Sequence, residues 1–199
     1  MKTIHRKYFA GICYKYINQY TGNMNLYIFH ETDRAAMFGI GTYIHELTNT
    51  LNICNIDICV VSIRSNRNQI ITEKTDDGIK RWYFPAPIQE QRTTERDQQN
   101  NLYHKNIVSL LRLRIEDKRD LVFHLNYCQC VKMAEELKNA FVCRVVSVVH
   151  FTGWGFTIYD NPPRLRSILD DERLDSLGEN VRKSVKQEKE LCARVDRII

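Results

Sequence analysis

The chain has 199 residues, 43% of them hydrophobic and 27% charged, with a formal net charge of +5. These values fit one globular domain, at most a domain plus an appendage, and exclude a disordered or fibrous chain. No apolar run approaches the ~18 residues of a membrane span, and no aromatic-rich basic strand suggests stacked bases.

The first 23 residues are basic, mildly apolar and lack a small-residue cleavage site, so they form an N-terminal extension and not a secretion signal. Residues 24–29, MNLYIF, are the first strand. A polar stretch and the turn FGIG lead into a helix over 42–51, with Ile44, Leu47, Thr48 and Leu51 on one face. The run 56–63, IDICVVSI, is nearly all apolar, as expected of a parallel strand covered on both sides. Short strands over 70–72 and 80–84 flank the turn KTDDG, and Pro85 and Pro87 end the second.

A helix follows over 94–115, its stripe drawn from Leu102, Ile107, Leu110, Leu111 and Leu113. Then come a strand, DLVFHLN over 120–126, a helix over 129–141 and the buried strand RVVSVVHF over 144–151. TGWGFTIYDNPPRL, rich in Gly, Pro and aromatics, is expected to be loop, with one or two short helices over 166–177. A charged helix over 179–194 carries Val181, Val185, Leu191 and Val195 inward, and VDRII opens a last strand. The alternation predicts an α/β fold, an open, mostly parallel sheet with right-handed crossovers and helices on both faces. The folded unit spans 24–199.

Ligands of such sheets bind beyond the carboxyl ends of the strands, and three of those ends carry polar groups: Glu31 or His30 on the first, His124 with Asn126, and His150. Gly39 and Gly41 let a ligand approach bare amides where a helix begins at Thr42, a natural place for phosphate. The spacing is neither G-x-G-x-x-G nor a P-loop, and glycines here also serve plain turn chemistry. His124 and Asn126 share a face at the end of one strand, and His150 ends another. A lone histidine on an apolar strand is usually a hydrogen-bonded core residue; several strands ending alike favour a shared cleft. The seven cysteines are scattered without a C-x-x-C pair. That favours free thiols in a reducing cytoplasm over a metal site.

MNLYIFHE, TDRAAM, FGIG and TYIHELTNTL, followed by DLVFHLN and VVSVVHF, stand in an order that resembles the N-terminal half of GT-B-fold glycosyltransferases, most closely the family-4, glycogen-synthase-like retaining group. Phe38 replaces the first glycine of the family's usual turn, and Phe151 replaces the Asp or Gly after its histidine. The resemblance implies a Rossmann-like, acceptor-binding domain, with the donor-binding domain absent from this chain and the isolated half inactive. It implies that Gly39, Gly41 and Thr42 approach the donor diphosphate and that His150 is the catalytic contact to the donor sugar. Arg34, His124, Asn126 and Trp154 would shape the acceptor site. It implies a nucleotide-sugar co-substrate and no metal or other cofactor. The partners would be a sugar or lipid-linked acceptor, without nucleic acid, in the cytoplasm. The basic N-terminus and the segment 183–189 would allow peripheral contact at the inner membrane face. A self-sufficient flavodoxin-like module binding nucleotide or flavin is the alternative that the alternation alone leaves open.

Overall fold

A computed structural model describes residues 24–31, 39–52, 56–76, 78–87, 93–126 (93–97 as backbone only), 130–171, 173 and 175–199. The N-terminal extension, Arg34, Cys13, Cys54 and Cys128 lie outside them. In chain order the elements are β1 (Asn25–Glu31), α1 (Ile40–Asn52), β2 (Asp57–Ser65), β3 (Ile71–Lys74), β4 (Lys80–Pro85) and α2 (Thr93–Arg114). They continue with β5 (Leu121–Leu125), α3 (Val131–Ala140), β6 (Cys143–Ser147), α4 (Gly153–Ile158), α5 (Pro162–Asp170), α6 (Ser176–Arg194) and β7 (Arg197–Ile198).

The fold is α/β, as the alternation predicts. The sheet order is β3-β4-β2-β1-β5-β6-β7. Every neighbouring pair is parallel except the β3–β4 hairpin. Without the β3 edge, the parallel strands stand in the sequence order 3-2-1-4-5-6, that of the doubly wound nucleotide-binding sheet; flavodoxin-like sheets run 2-1-3-4-5. The order reverses between β1 and β5, and the crossovers diverge there, which opens a crevice above those two strand ends.

Side chains alternate between the two faces because successive strand residues point opposite ways. Leu26, Ile28, Ile58 and Val60 meet Ile40, Ile44, Leu47 and Leu51 of α1. On the other face, Phe29, Val61, Ile63, Phe84, Phe123, Leu125 and Val145 pack with residues of α2 and α3 and with Leu191 of α6. Cys59 and Cys130 are buried in this second core and form no disulfide. Among the described residues no helix is long and apolar enough to cross a membrane.

Four expectations change. β6 stops at Ser147, so His150, expected at the end of a strand over 144–151, lies three residues beyond it. The buried stripe of α2 is Ile107, Val108 and Leu111, continued by Ile115 just past its end, whereas Leu102 and Leu113 are 57% and 82% exposed. Leucine is a strong helix former on either face, so its presence did not mark the buried side. The Gly/Pro/aromatic stretch after Phe151 is largely helical. Thr152 caps α4 by accepting from Gly155 N–H, and Asn161 caps α5 by accepting from Arg164 N–H. Pro162 and Pro163 occupy the first turn of α5, where a missing N–H costs nothing. Finally, α1 starts at Ile40, so Gly41 and Thr42 belong to its first turn and only Gly39, at φ +69°, makes the corner.

Candidate functional site at the carboxyl edge of the sheet

Asn126 follows β5 directly and joins it to β1. Its backbone N–H and its side-chain Nδ2 both donate to the Phe29 carbonyl, each at 3.1 Å. That double contact fixes which way the amide faces, because the reversed amide would set Oδ1 against the carbonyl oxygen. With its second hydrogen Nδ2 donates to His124 Nδ1 at 2.9 Å. Oδ1 accepts from His150 Nε2–H at 3.0 Å. One neutral amide thereby assigns the protons of two imidazoles. His124 must carry its proton on Nε2, which lies 3.4 Å from Tyr43 Oη. His150 is held by Nε2–H, and its Nδ1 makes no hydrogen bond among the described residues.

Tyr43 closes the cluster from α1. Its ring lies nearly parallel to that of His124 (14° between planes, centroids 6.1 Å) and edge-on to that of His150 at 5.0 Å. Tyr43 N–H donates to the Gly39 carbonyl at 3.1 Å, the first bond of the helix. The amides of Ile40, Gly41 and Thr42 precede it and have no acceptor within the helix. The amide end of α1 and His150 therefore sit at the same edge of the sheet, one residue apart through Tyr43.

Burial sorts the members. His124 is 6% exposed and Asn126 0%. Burial, helped by the neighbouring His150, pushes the His124 imidazole down to about 4. Burial also lowers the half-exposed His150, so both are neutral at pH 7. His124 and Asn126, expected to touch an acceptor, are buried and hydrogen-bonded to each other, and Asn126 also accepts from His150. Gly41 and Thr42 are exposed and can be approached. Trp154 lies in α4, half-buried, and Arg34 is outside the described residues. Among the described residues no group of three His, Cys, Asp or Glu gathers around a common point.

Tyr43, Ser62, Arg64, Asn100 and Tyr103, which sequence reasoning missed, complete the edge around the expected His30 and Glu31. On the β2 side, His30 Nε2 and Ser62 Oγ lie 2.8 Å apart. Arg64 reaches Glu31, with Nε 3.6 Å from Oε1. Asn100 and Tyr103 join Arg64 from the first half of α2. The available signal was the inward stripe of α2, which turns polar at Asn100, Tyr103 and His104 where the helix passes over the carboxyl edge.

No protein-family model matches the chain, and no curated protein sequence is similar to it.

Proposed function

We propose that this chain is the acceptor-side, Rossmann-like half of a retaining glycosyltransferase resembling the family-4 group, which receives a sugar-phosphate in the crevice between the tips of β1 and β5. The observation that supports it most is the tethered His150. One of its nitrogens is fixed by Asn126 and the other makes no hydrogen bond among the described residues, while its ring packs edge-on against Tyr43 of the first turn of α1.

The chemistry follows from these groups. The amides of Ile40, Gly41 and Thr42 and the positive end of the α1 dipole attract a phosphate and stabilise charge as the diphosphate departs. Neutral His150 offers the Nδ1 lone pair, which accepts a hydrogen bond from a hydroxyl of the transferred sugar and orients the ring. The bond from the anomeric carbon to the phosphate oxygen breaks, a bond to the acceptor oxygen forms, and the departing diphosphate takes the acceptor's proton. His124, Asn126 and Tyr43 are positioning residues that keep His150 in one tautomer and one pose. The strand order is the doubly wound one and not the flavodoxin-like one, and the titration below separates the transferase from a self-sufficient nucleotide-binding module. When the acceptor is lipid-linked, the exposed Lys183, Lys186 and Lys189 of α6 would meet anionic headgroups. Vesicle flotation at low salt checks this, and a protein that stays in solution removes it.

Calorimetric titration with UDP, UDP-glucose, flavin mononucleotide and NAD tests the main reading. Millimolar binding of UDP and UDP-glucose is expected, without turnover. Gly41→Ala keeps the amide but sets a methyl in the path of the phosphate, and should weaken both by about tenfold. His150→Ala should weaken UDP-glucose alone. Submicromolar flavin or NAD binding, or UDP-glucose affinity indifferent to both variants, would overturn it.

A further inference from the structure

Arg64 is unusual in three ways that belong together. It is the next-to-last residue of β2 and has a left-handed backbone, φ +50°, a conformation that strains a non-glycine residue. The strain sits at an irregularity of the β2–β4 pairing between Ser62 and Ser65. It is held by Tyr103 Oη, which accepts from the Arg64 N–H at 2.8 Å. The side chain stands over the Tyr103 ring, 5.5 Å from its centroid. There its Nη2 donates to Asn100 Oδ1 at 2.6 Å.

The Arg64 side chain is only 22% exposed, yet among the described residues that is its one side-chain hydrogen bond. An arginine placed to tie loops together would spend more of its five donors. The Glu31 carboxylate, 12% exposed, stands 3.6 Å from Nε, close enough to cancel charge and too far for a hydrogen bond. His104, next along α2, adds no charge, because burial and the Arg64 charge push it down to about 4.

We infer that Glu31, Arg64 and Asn100 form a second subsite at the carboxyl edge, one that reads the hydroxyls of a neutral sugar ring. The inference rests on the saccharide reading of the crevice and names its acceptor class. Opposite charges cancel here, so the subsite offers an anion little attraction. A carboxylate only accepts hydrogen bonds and a guanidinium only donates them. Neighbouring hydroxyls do both, so they match the pair. Position supports the same assignment. The edge runs β2, β1, β5, β6, and three strand spacings make about 14 Å across it from β2, which carries Arg64, to β6, which ends three residues before His150. A glycan of two or three units covers that span, with the reacting end toward His150 and the far ring at Arg64. The acceptor would then be a neutral glycan of at least two units, and not a single charged sugar.

Amide-resolved NMR titration of the full chain tests it, with maltose, cellobiose and lactose as neutral probes, glucuronate and glucose 6-phosphate as anionic ones, and UDP-glucose beside them. At least one disaccharide should shift the Arg64, Asn100 and Tyr103 amides at tens of millimolar. Glu31→Gln and Asn100→Ala, both checked for unchanged melting, should weaken that binding about tenfold, while the exposed Lys105→Ala should leave it unchanged. Three results would overturn the proposal: no shift at Arg64 with any disaccharide, affinity unaffected by Glu31→Gln, or tighter binding of the anionic sugars at these amides. UDP-glucose separates the two readings. Disaccharide shifts at Arg64 with no UDP-glucose response at Gly41 would keep this subsite and remove the transferase, and the opposite pattern would do the reverse.

Discussion

Asn126 directs protons without carrying a charge, and its neighbours depend on that. A side-chain amide is the only group of this size that donates to the Phe29 carbonyl and to His124 while accepting from His150. Asn126→Ala leaves several buried polar atoms without partners, and denaturant titration should show a loss of about 2–4 kcal/mol. Asn126→Asp keeps the shape but presents oxygen to the carbonyl and demands a proton on His124 Nδ1. Long-range imidazole NMR should therefore report both histidines as neutral Nε2–H tautomers at pH 7 in the native chain. In Asn126→Asp it should report a protonated Nδ1 on His124. A native His124 with its proton on Nδ1 would refute the assigned network. Sequence pointed to the residues of this cluster but not to their division of labour. That two residues sit on one face of a strand says they are neighbours. It does not say that both are buried and already committed to each other.

The two helices that border the crevice make separable claims. In α1, Gly39 has φ +69° and open space around it, so Gly39→Ala should cost about 1 kcal/mol from backbone conformation alone. Gly41 lies within the exposed first turn, where alanine should stabilise the helix by up to about 1 kcal/mol. Gly41→Ala therefore divides fold from function, since the same variant should melt higher and bind sugar-phosphate more weakly. In α2, Leu111→Ala should cost about 2–5 kcal/mol and Leu113→Ala less than about 0.5, because the first is fully buried and the second 82% exposed. Equal losses would mean that the helix is rotated from the face described. The elements themselves were largely legible. Apolar runs marked β2, β5 and β6, and regular spacing marked α1. The faces of α2 were not legible, because its tertiary partners decide among leucines of equal propensity. The helices after Phe151 were missed because caps and first-turn prolines were taken for loop composition.

At the scale of the molecule, the buried His104 and His124 and the part-buried His30 tie the fold to pH. Burial lowers His30, His104 and His124 to about 4 from the ordinary 6.5. Between those values the unfolded chain binds protons that the native chain refuses, so their contribution is whole above pH 6.5 and is lost as pH falls toward 4. Each adds a slope of about 1.4 kcal/mol per pH unit, and together about 3–4 near pH 5. His104→Leu should reduce that slope by about a third, read from denaturation midpoints between pH 7 and 5; a flat profile would contradict the neutral, buried assignments. The open parallel sheet was legible as an alternation of runs. The strand order was not, because it rests on crossovers that leave no local mark. Yet that order places the switch point between β1 and β5, and so brings the amide end of α1, His150 and Arg64 to one edge. The most direct test of this crevice as a sugar-phosphate site is an amide-by-amide NMR map of the chain titrated with UDP-glucose. The largest shifts should fall on Ile40, Gly41, Thr42 and Tyr43 and around Asn126 and His150. Shifts concentrated instead at the opposite edge, around Met24, Val142 and Arg144, or spread without a centre, would contradict it.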